Sequence, residues 1–321
     1  MNLRMDGVRG SRPRFVVPPV AREVEVRPAK QSRSAMWRRA ATGVSMVVVA
    51  FVSAIVTVQA LASPQEVAVH AEAGDAATPA ASPALSPAQE QTGLQQLLNS
   101  FVSSHTGGPY DIVVQDLHSG AGAGIDPDRS FLSASLYKLF VADQIYHMID
   151  TGNLSYGAAA GGGTNNTIRG CLDLMITISD NTCGQALGTI LDWGAQNPAL
   201  AAQGFGETDL TTPQQTSARD VALLFEKLYN GTLDSAASNA AFLTLLKNQE
   251  INDRLPQGLP PGTVIAHKTG NLDNVVHDAG IVYGPKTDYL VVVMSGPWVQ
   301  PANAPAQMAG LSKQLWQFFE P

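Results

Sequence analysis

The last third of the chain places the tightest constraint on its fold, because there the apolar residues stop following a helical period. TVIAHKTG (263–270), DAGIVYG (278–284) and YLVVVMSG (289–296) are rich in β-branched and apolar residues and are separated by short turns. Strands joined so closely pair antiparallel, since a parallel crossover needs about a dozen residues or more. YDIVVQDL (110–117), the turn HSGAG and a second short strand add a hairpin nearer the start. A sheet assembled from these strands has two apolar faces, and both must be covered. GLQQLLNSFVSS (93–104) and AGLSKQLWQFFE (309–320) have the spacing of terminal helices for one face, and a helical middle section serves the other. The expected fold is therefore α/β in the α+β sense: an antiparallel five-stranded sheet flanked by helices, plus a helical subdomain.

That middle section opens with a long helix over about 134–150, striped by Leu139, Phe140, Val141, Ile145 and Met148. CLDLMITI (171–178) and CGQALGTILDWGA (183–195) have helical spacing on either side of Ser179-Asp180-Asn181. SARDVALLFEKLYNG and AAFLTLLKNQ read as two further helices, the first capped by Gly231. The loop GAAAGGGTNN (157–166) lacks a phosphate-loop lysine or serine at the required spacing, so its glycines read as structural.

Upstream of this domain, expected over 91–321, the composition changes. Residues 63–90 are rich in Ala, Pro and Ser and read as a linker. Residues 1–40 form a basic segment, and 41–62 run for 22 residues without a charge, enough to cross roughly 30 Å of hydrocarbon. The positive charge ahead of that run predicts a single-pass cell-membrane anchor, with the basic segment cytoplasmic and the folded domain extracytoplasmic. The alternative is secretion after cleavage at Ala60-Leu61-Ala62. Beyond residue 62 the chain holds ten Lys/Arg against 24 Asp/Glu, which leaves no positive stripe for nucleic acid. Cys171 and Cys183 lie twelve apart, about 18 Å if one straight helix joins them, so separate buried thiols are expected unless the chain reverses near 179–182. With no histidine near either cysteine, no metal is expected.

Ser135 and Lys138, three residues apart at the front of the long helix, share one helix face, so the amine can approach the hydroxyl. A serine near a helix start can also simply cap it. Ser179-Asp180-Asn181 follows 44 residues later, and Lys268-Thr269-Gly270 a further 89. Together, in this order, they resemble the S-x-x-K, S-D-N and K-T-G signature of the penicillin-recognising serine hydrolases, the group of class A β-lactamases and penicillin-binding transpeptidases. The resemblance covers about residues 92–320. It implies a monomeric enzyme without cofactor, in which Ser135 attacks a carbonyl and is acylated while Lys138 assists removal of its proton. Ser179 would relay a proton to the leaving nitrogen, Asn181 would position the substrate amide and contact Lys138, and Asp180 would hold the turn. Lys268 and Thr269 would bind the substrate carboxylate, Gly270 would leave room beside the strand, and the backbone N–H groups of Ser135 and Asn271 would form the oxyanion hole. The implied substrate is a β-lactam or a cell-wall peptide-like molecule. The same groups could cleave or transfer a D-alanyl peptide or another amide or ester, or serve an envelope-binding module with little turnover.

Two departures bear on the reaction. The family's omega loop carries E-x-x-L-N, whereas this chain has Glu207-Thr208-Asp209-Leu210-Thr211, so Glu207 reads either as the base that activates a deacylating water or as a solvated loop residue. The family often places an arginine near the position of Asp278, and NLDNVVHDAG (271–280) has none. An aspartate facing the site would repel a carboxylate, leaving recognition to Lys268 and Thr269. His277 reads as a local hydrogen-bonding residue.

Overall fold

The computed structural model describes residues 85–321. Helix α1 (Pro87–Ser104) starts at a capping box in which Ser86 and Gln89 satisfy each other's backbone N–H groups, and it buries Leu94, Leu98 and Phe101. Strands β1 (Tyr110–Asp116) and β2 (Gly122–Ile125) form the first hairpin, and β3 (Phe131–Leu132) leads into a single 3₁₀ turn over Ala134–Leu136. Helix α2 (Tyr137–Asp150) continues directly from that turn. Helices α3 (Ile168–Thr177) and α4 (Asn181–Ile190) follow, capped by Thr167 and Asp180, then the short α5 (Asn197–Ala202). Strand β4 (Gln215–Thr216) pairs with β3 and precedes α6 (Ala218–Tyr229) and α7 (Ala236–Lys247). Strands β5 (Val264–Leu272), β6 (Val275–Tyr283) and β7 (Asp288–Ser295) complete the main sheet, and α8 (Ala304–Phe319) closes the fold.

The main sheet has five antiparallel strands in the order β2-β1-β7-β6-β5. Its central strand β7 shows why the period-two pattern matters. Leu290, Val292 and Met294 face the helical core around α2, whereas Tyr289, Val291 and Val293 face α1 and α8. Both faces are dry, so the strand is apolar throughout instead of alternating with polar residues. K-T-G lies on β5, the edge strand beside the 3₁₀ turn that carries Ser135.

Helix α2 is the pillar of the helical side. Its first ten residues, Tyr137 to Tyr146, are all buried, including Lys138, Asp143 and Gln144. A helix enclosed on every side belongs at the centre of a domain, and charged groups taken there require partners or a changed protonation state.

Two expectations are corrected. Among the described residues no helix is long and apolar enough to cross a membrane. The longest, α1, carries Glu90 and five glutamine or asparagine residues across its 18 positions. The span expected at 41–62 lies outside the described residues. The cysteines are not separate thiols: Cys171 and Cys183 form a disulfide with their Cα atoms 4.8 Å apart. The chain reverses between α3 and α4, where Ser179 takes a left-handed backbone (φ 60°) and Asp180 accepts from the Cys183 N–H at 2.7 Å.

Candidate active site

Ser135 sits in the 3₁₀ turn just ahead of α2, and neither it nor any neighbour caps that helix through a side chain. The simple capping explanation for the serine is thereby removed. Ala134, immediately before it, has φ 43°, a left-handed conformation that an L-residue adopts only under constraint. The approach segment is pinned from two sides. Ser133 donates its N–H to Gln214 O at 3.0 Å, and the buried His277 donates from Nε2 to Leu132 O at 2.8 Å while its Nδ1 accepts from the Ser295 N–H at 3.1 Å. Burial pushes the His277 pKa down to about 4, so the ring is neutral and acts as a fixed strut, the local role the sequence suggested.

Lys138 extends from the first turn of α2 towards the α3–α4 turn. Its Nζ donates to Ser179 O at 2.6 Å, to Asn181 Oδ1 at 2.8 Å and to Ser179 Oγ at 3.2 Å, which uses all three N–H bonds of an ammonium. Burial lowers its pKa to about 8, against the opposing pull of Asp180. Gly184 on α4 is what lets the stem lie so close: a Cβ there would stand 2.9 Å from Lys138 Cε and 2.7 Å from Tyr137 Oη.

Lys268 reaches the same hydroxyl from β5, donating to Ser179 Oγ at 2.9 Å and to Thr269 O at 2.9 Å. Its pKa is held well below the usual lysine value by burial first and by Lys138 second. With both lone pairs of Ser179 Oγ engaged by amines, its own proton must point elsewhere. At Gly270 the strand passes close to the Ser135 turn: a Cβ there would lie 3.3 Å from the Ser135 backbone nitrogen. Asp180 caps α4, in keeping with its expected role in the turn.

These groups surround a cavity of about 390 Å³ lined by Ser135, Ser179, Asn181, Thr269, Asn271 and Arg254. Ile178, Ile251 and Asp253 form the rest of its wall. A larger open groove of about 510 Å³ runs beside β2, but its one charged lining residue, Arg219, is tied to Asp128. Nothing there matches the concentration of amines and hydroxyls around Ser135. Glu207 lies apart from the smaller cavity. Its side chain is exposed and makes no hydrogen bond among the described residues, while its backbone N–H donates to Asp220 Oδ2 at 2.9 Å.

The structure also corrects the reading of Asp278. That carboxylate is fully buried away from the cavity, where Oδ1 meets His267 Nδ1 at 2.8 Å and Oδ2 accepts the Leu255 N–H at 3.1 Å. Holding Leu255 fixes the neighbouring Arg254, which the sequence reading missed. The Arg254 guanidinium is buried and donates to His277 O at 2.6 Å, to Gly270 O at 3.3 Å and to Asn271 Oδ1. A cation thus stands behind the K-T-G strand after all, supplied by a loop and not by β6. One signal was present: Arg254 is the only Lys or Arg between Lys247 and Lys268.

Fold and site together define a serine-hydrolase-like enzyme on the scaffold shared by class A β-lactamases and penicillin-binding proteins. The chain belongs to the β-lactamase enzyme family, whose sequence profile matches residues 93–319. Among solved structures it is similar to PBP-A, with 28% identity, a TM-score of 0.66 and coverage of 71% of this chain and 96% of that one. A PBP-A mutant described as an acyl-enzyme complex with penicillin-G aligns with the same identity and TM-score, over 71% of this chain and 97% of its own. The β-lactamase from Sphaerobacter thermophilus shares the fold at 22% identity and a TM-score of 0.63, over 70% of this chain and 96% of that one. No curated protein sequence matches the chain.

Proposed function

We propose that the protein is a serine hydrolase that opens β-lactam amides through an acyl-enzyme on Ser135. The observation that carries this reading is Ser179 Oγ held between the amines of Lys138 and Lys268 in the wall of the Ser135 cavity. Neutral Lys138 keeps its two shorter bonds, to Ser179 O and Asn181 Oδ1, and has a lone pair free for the Ser135 proton. The Ser135 oxygen then bonds to the carbonyl carbon, and the backbone N–H groups of Ser135 and Asn271 receive the developing oxyanion. Ser179 passes its proton to the leaving nitrogen as the C–N bond breaks, and the Lys138 ammonium restores it. Thr269 and Arg254 line the wall that receives the substrate carboxylate, with Lys268 held behind Thr269 and the Arg254 charge shared with Asp253 at 3.1 Å.

Incubation with penicillin-G followed by intact mass over time tests this. The expected result is a single adduct of intact penicillin mass that maps to the peptide carrying Ser135. Folded protein that gives neither adduct nor hydrolysis would overturn the reading.

A second reading, a D-alanyl peptide carboxypeptidase or transpeptidase with slow β-lactam turnover, is favoured by the exposed Glu207 outside the cavity. With Glu207 outside the cavity wall, that carboxylate does not activate water at the ester, and the acyl-enzyme lasts. Glu207→Gln is then expected to leave the lifetime of the penicilloyl adduct unchanged within twofold. A tenfold or longer lifetime in the variant would return Glu207 to the role of water-activating base.

A further inference from the structure

We infer that the Cys171–Cys183 disulfide is a positioning device for Lys138: it closes a covalent ring containing every hydrogen-bond acceptor of that amine and holds the α3–α4 turn against the lysine stem. The inference rests on the proposed role of Lys138 as proton acceptor.

The ring spans a sequence separation of twelve and joins the buried face of α3 to the first turn of α4. Ser179 O, Ser179 Oγ and Asn181 Oδ1 all lie inside it. Gly184, whose backbone lies against the Lys138 methylenes, is covalently next to Cys183. Displacing α4 from α3 would therefore move the acceptors and the dry wall together. Ser179, with φ 60°, holds a conformation that relaxes readily once the helices flanking it are free to separate.

Several charged or titratable groups face the amine. Asp180, inside the ring, favours the ammonium; Lys268 on β5 shares Ser179 Oγ with the amine and is itself held down by burial, by Lys138 and by Arg254; and the Tyr137 ring on α2 lies 5.8 Å from Nζ. Desolvation outweighs the others, so an opened turn that admits water restores the ammonium and withdraws the base at neutral pH.

The test compares wild type with the full-length Cys171→Ala/Cys183→Ala variant, and with wild type reduced under native conditions and checked by thiol count. Penicillin-G acylation is followed by mass from pH 6 to 10, and the Lys138 ε-carbon is titrated by NMR on ¹³C-lysine protein, assigned with Lys138→Met. Loss of the disulfide is expected to move both midpoints upward by about one pH unit or more, slowing acylation at pH 7 by about tenfold. Unchanged midpoints alongside a lower melting temperature would overturn the inference and leave the disulfide as a staple of the fold. If the double variant fails to fold, reduced wild type decides between these outcomes. If wild type is never acylated, the functional reading has failed and the NMR titration alone still judges the disulfide.

Discussion

Lys138→Met is expected to slow acylation of Ser135 by penicillin-G by about 10²–10⁴-fold, the usual contribution of a placed general base. Methionine fills a similar volume and keeps an apolar stem against Gly184 while removing the amine that meets Ser179 and Asn181. In the wild type, the rate should rise as pH passes through about 8, because the neutral amine is the reactive form and burial places its pKa there. In the variant that inflection should vanish, leaving a rate that climbs with hydroxide alone. The substitution also strips partners from Ser179 O and Asn181 Oδ1, but Ser179 is half-buried and Asn181 exposed on the cavity, so water takes up these acceptors and the cost stays at or below about 1 kcal/mol for each. A denaturation curve measured alongside separates this loss of stability from loss of chemistry. Acylation within tenfold of wild type, with the inflection intact, would show that another group takes the Ser135 proton.

Much of this arrangement can be read from the residues in sequence. The strands of the last third declare themselves because two-sided burial demands unbroken apolar runs, and β7 is such a run. Ser135, Ser179 and Lys268 are recognisable only jointly, since each short motif has an ordinary structural use of its own. What stays hidden depends on where loops travel in space. Arg254 has no motif around it and gains its place because Asp278, on a strand distant in sequence, holds the next residue's N–H. The disulfide turns on whether α3 and α4 are one helix or two antiparallel ones. The left-handed Ser179 decides that, and its residue type does not announce the conformation. For Asp278 the error was one of direction. A position opposite Thr269 in the sheet register suggests a side chain facing the substrate, whereas the Asp278 carboxylate lies against His267.

Asp143→Asn is expected to remove much of the fall in stability between about pH 5 and pH 8. Asp143 is buried on α2 with Oδ1 unpartnered, and Gln144 Nε2 donates to its Oδ2 at 2.6 Å. Burial pushes its pKa up to about 7, against the weaker effects of Gln144 and Lys227, and the neighbouring Asp234 is pushed up to about 8 by burial and by Asp143 itself. Above about pH 4 the unfolded chain has lost the Asp143 proton while the folded protein keeps it until about pH 7. The unfolded state then binds fewer protons, so each rise in pH across that window favours unfolding, and the slope ends once both forms are ionised. A shift of about three pKa units corresponds to about 4 kcal/mol in all. Asparagine can still accept from Gln144 and never ionises, so the variant avoids this penalty. Urea midpoints at pH 5, 6.5 and 8 measure it, with the variant gaining about 2–4 kcal/mol over wild type between the first and last. His277, with its lowered pKa, adds the opposite slope below about pH 6.5, but it does so in both proteins and cancels in the difference. Parallel curves for the two proteins would mean that Asp143 ionises freely in the folded state, with water or a cation compensating it inside the core.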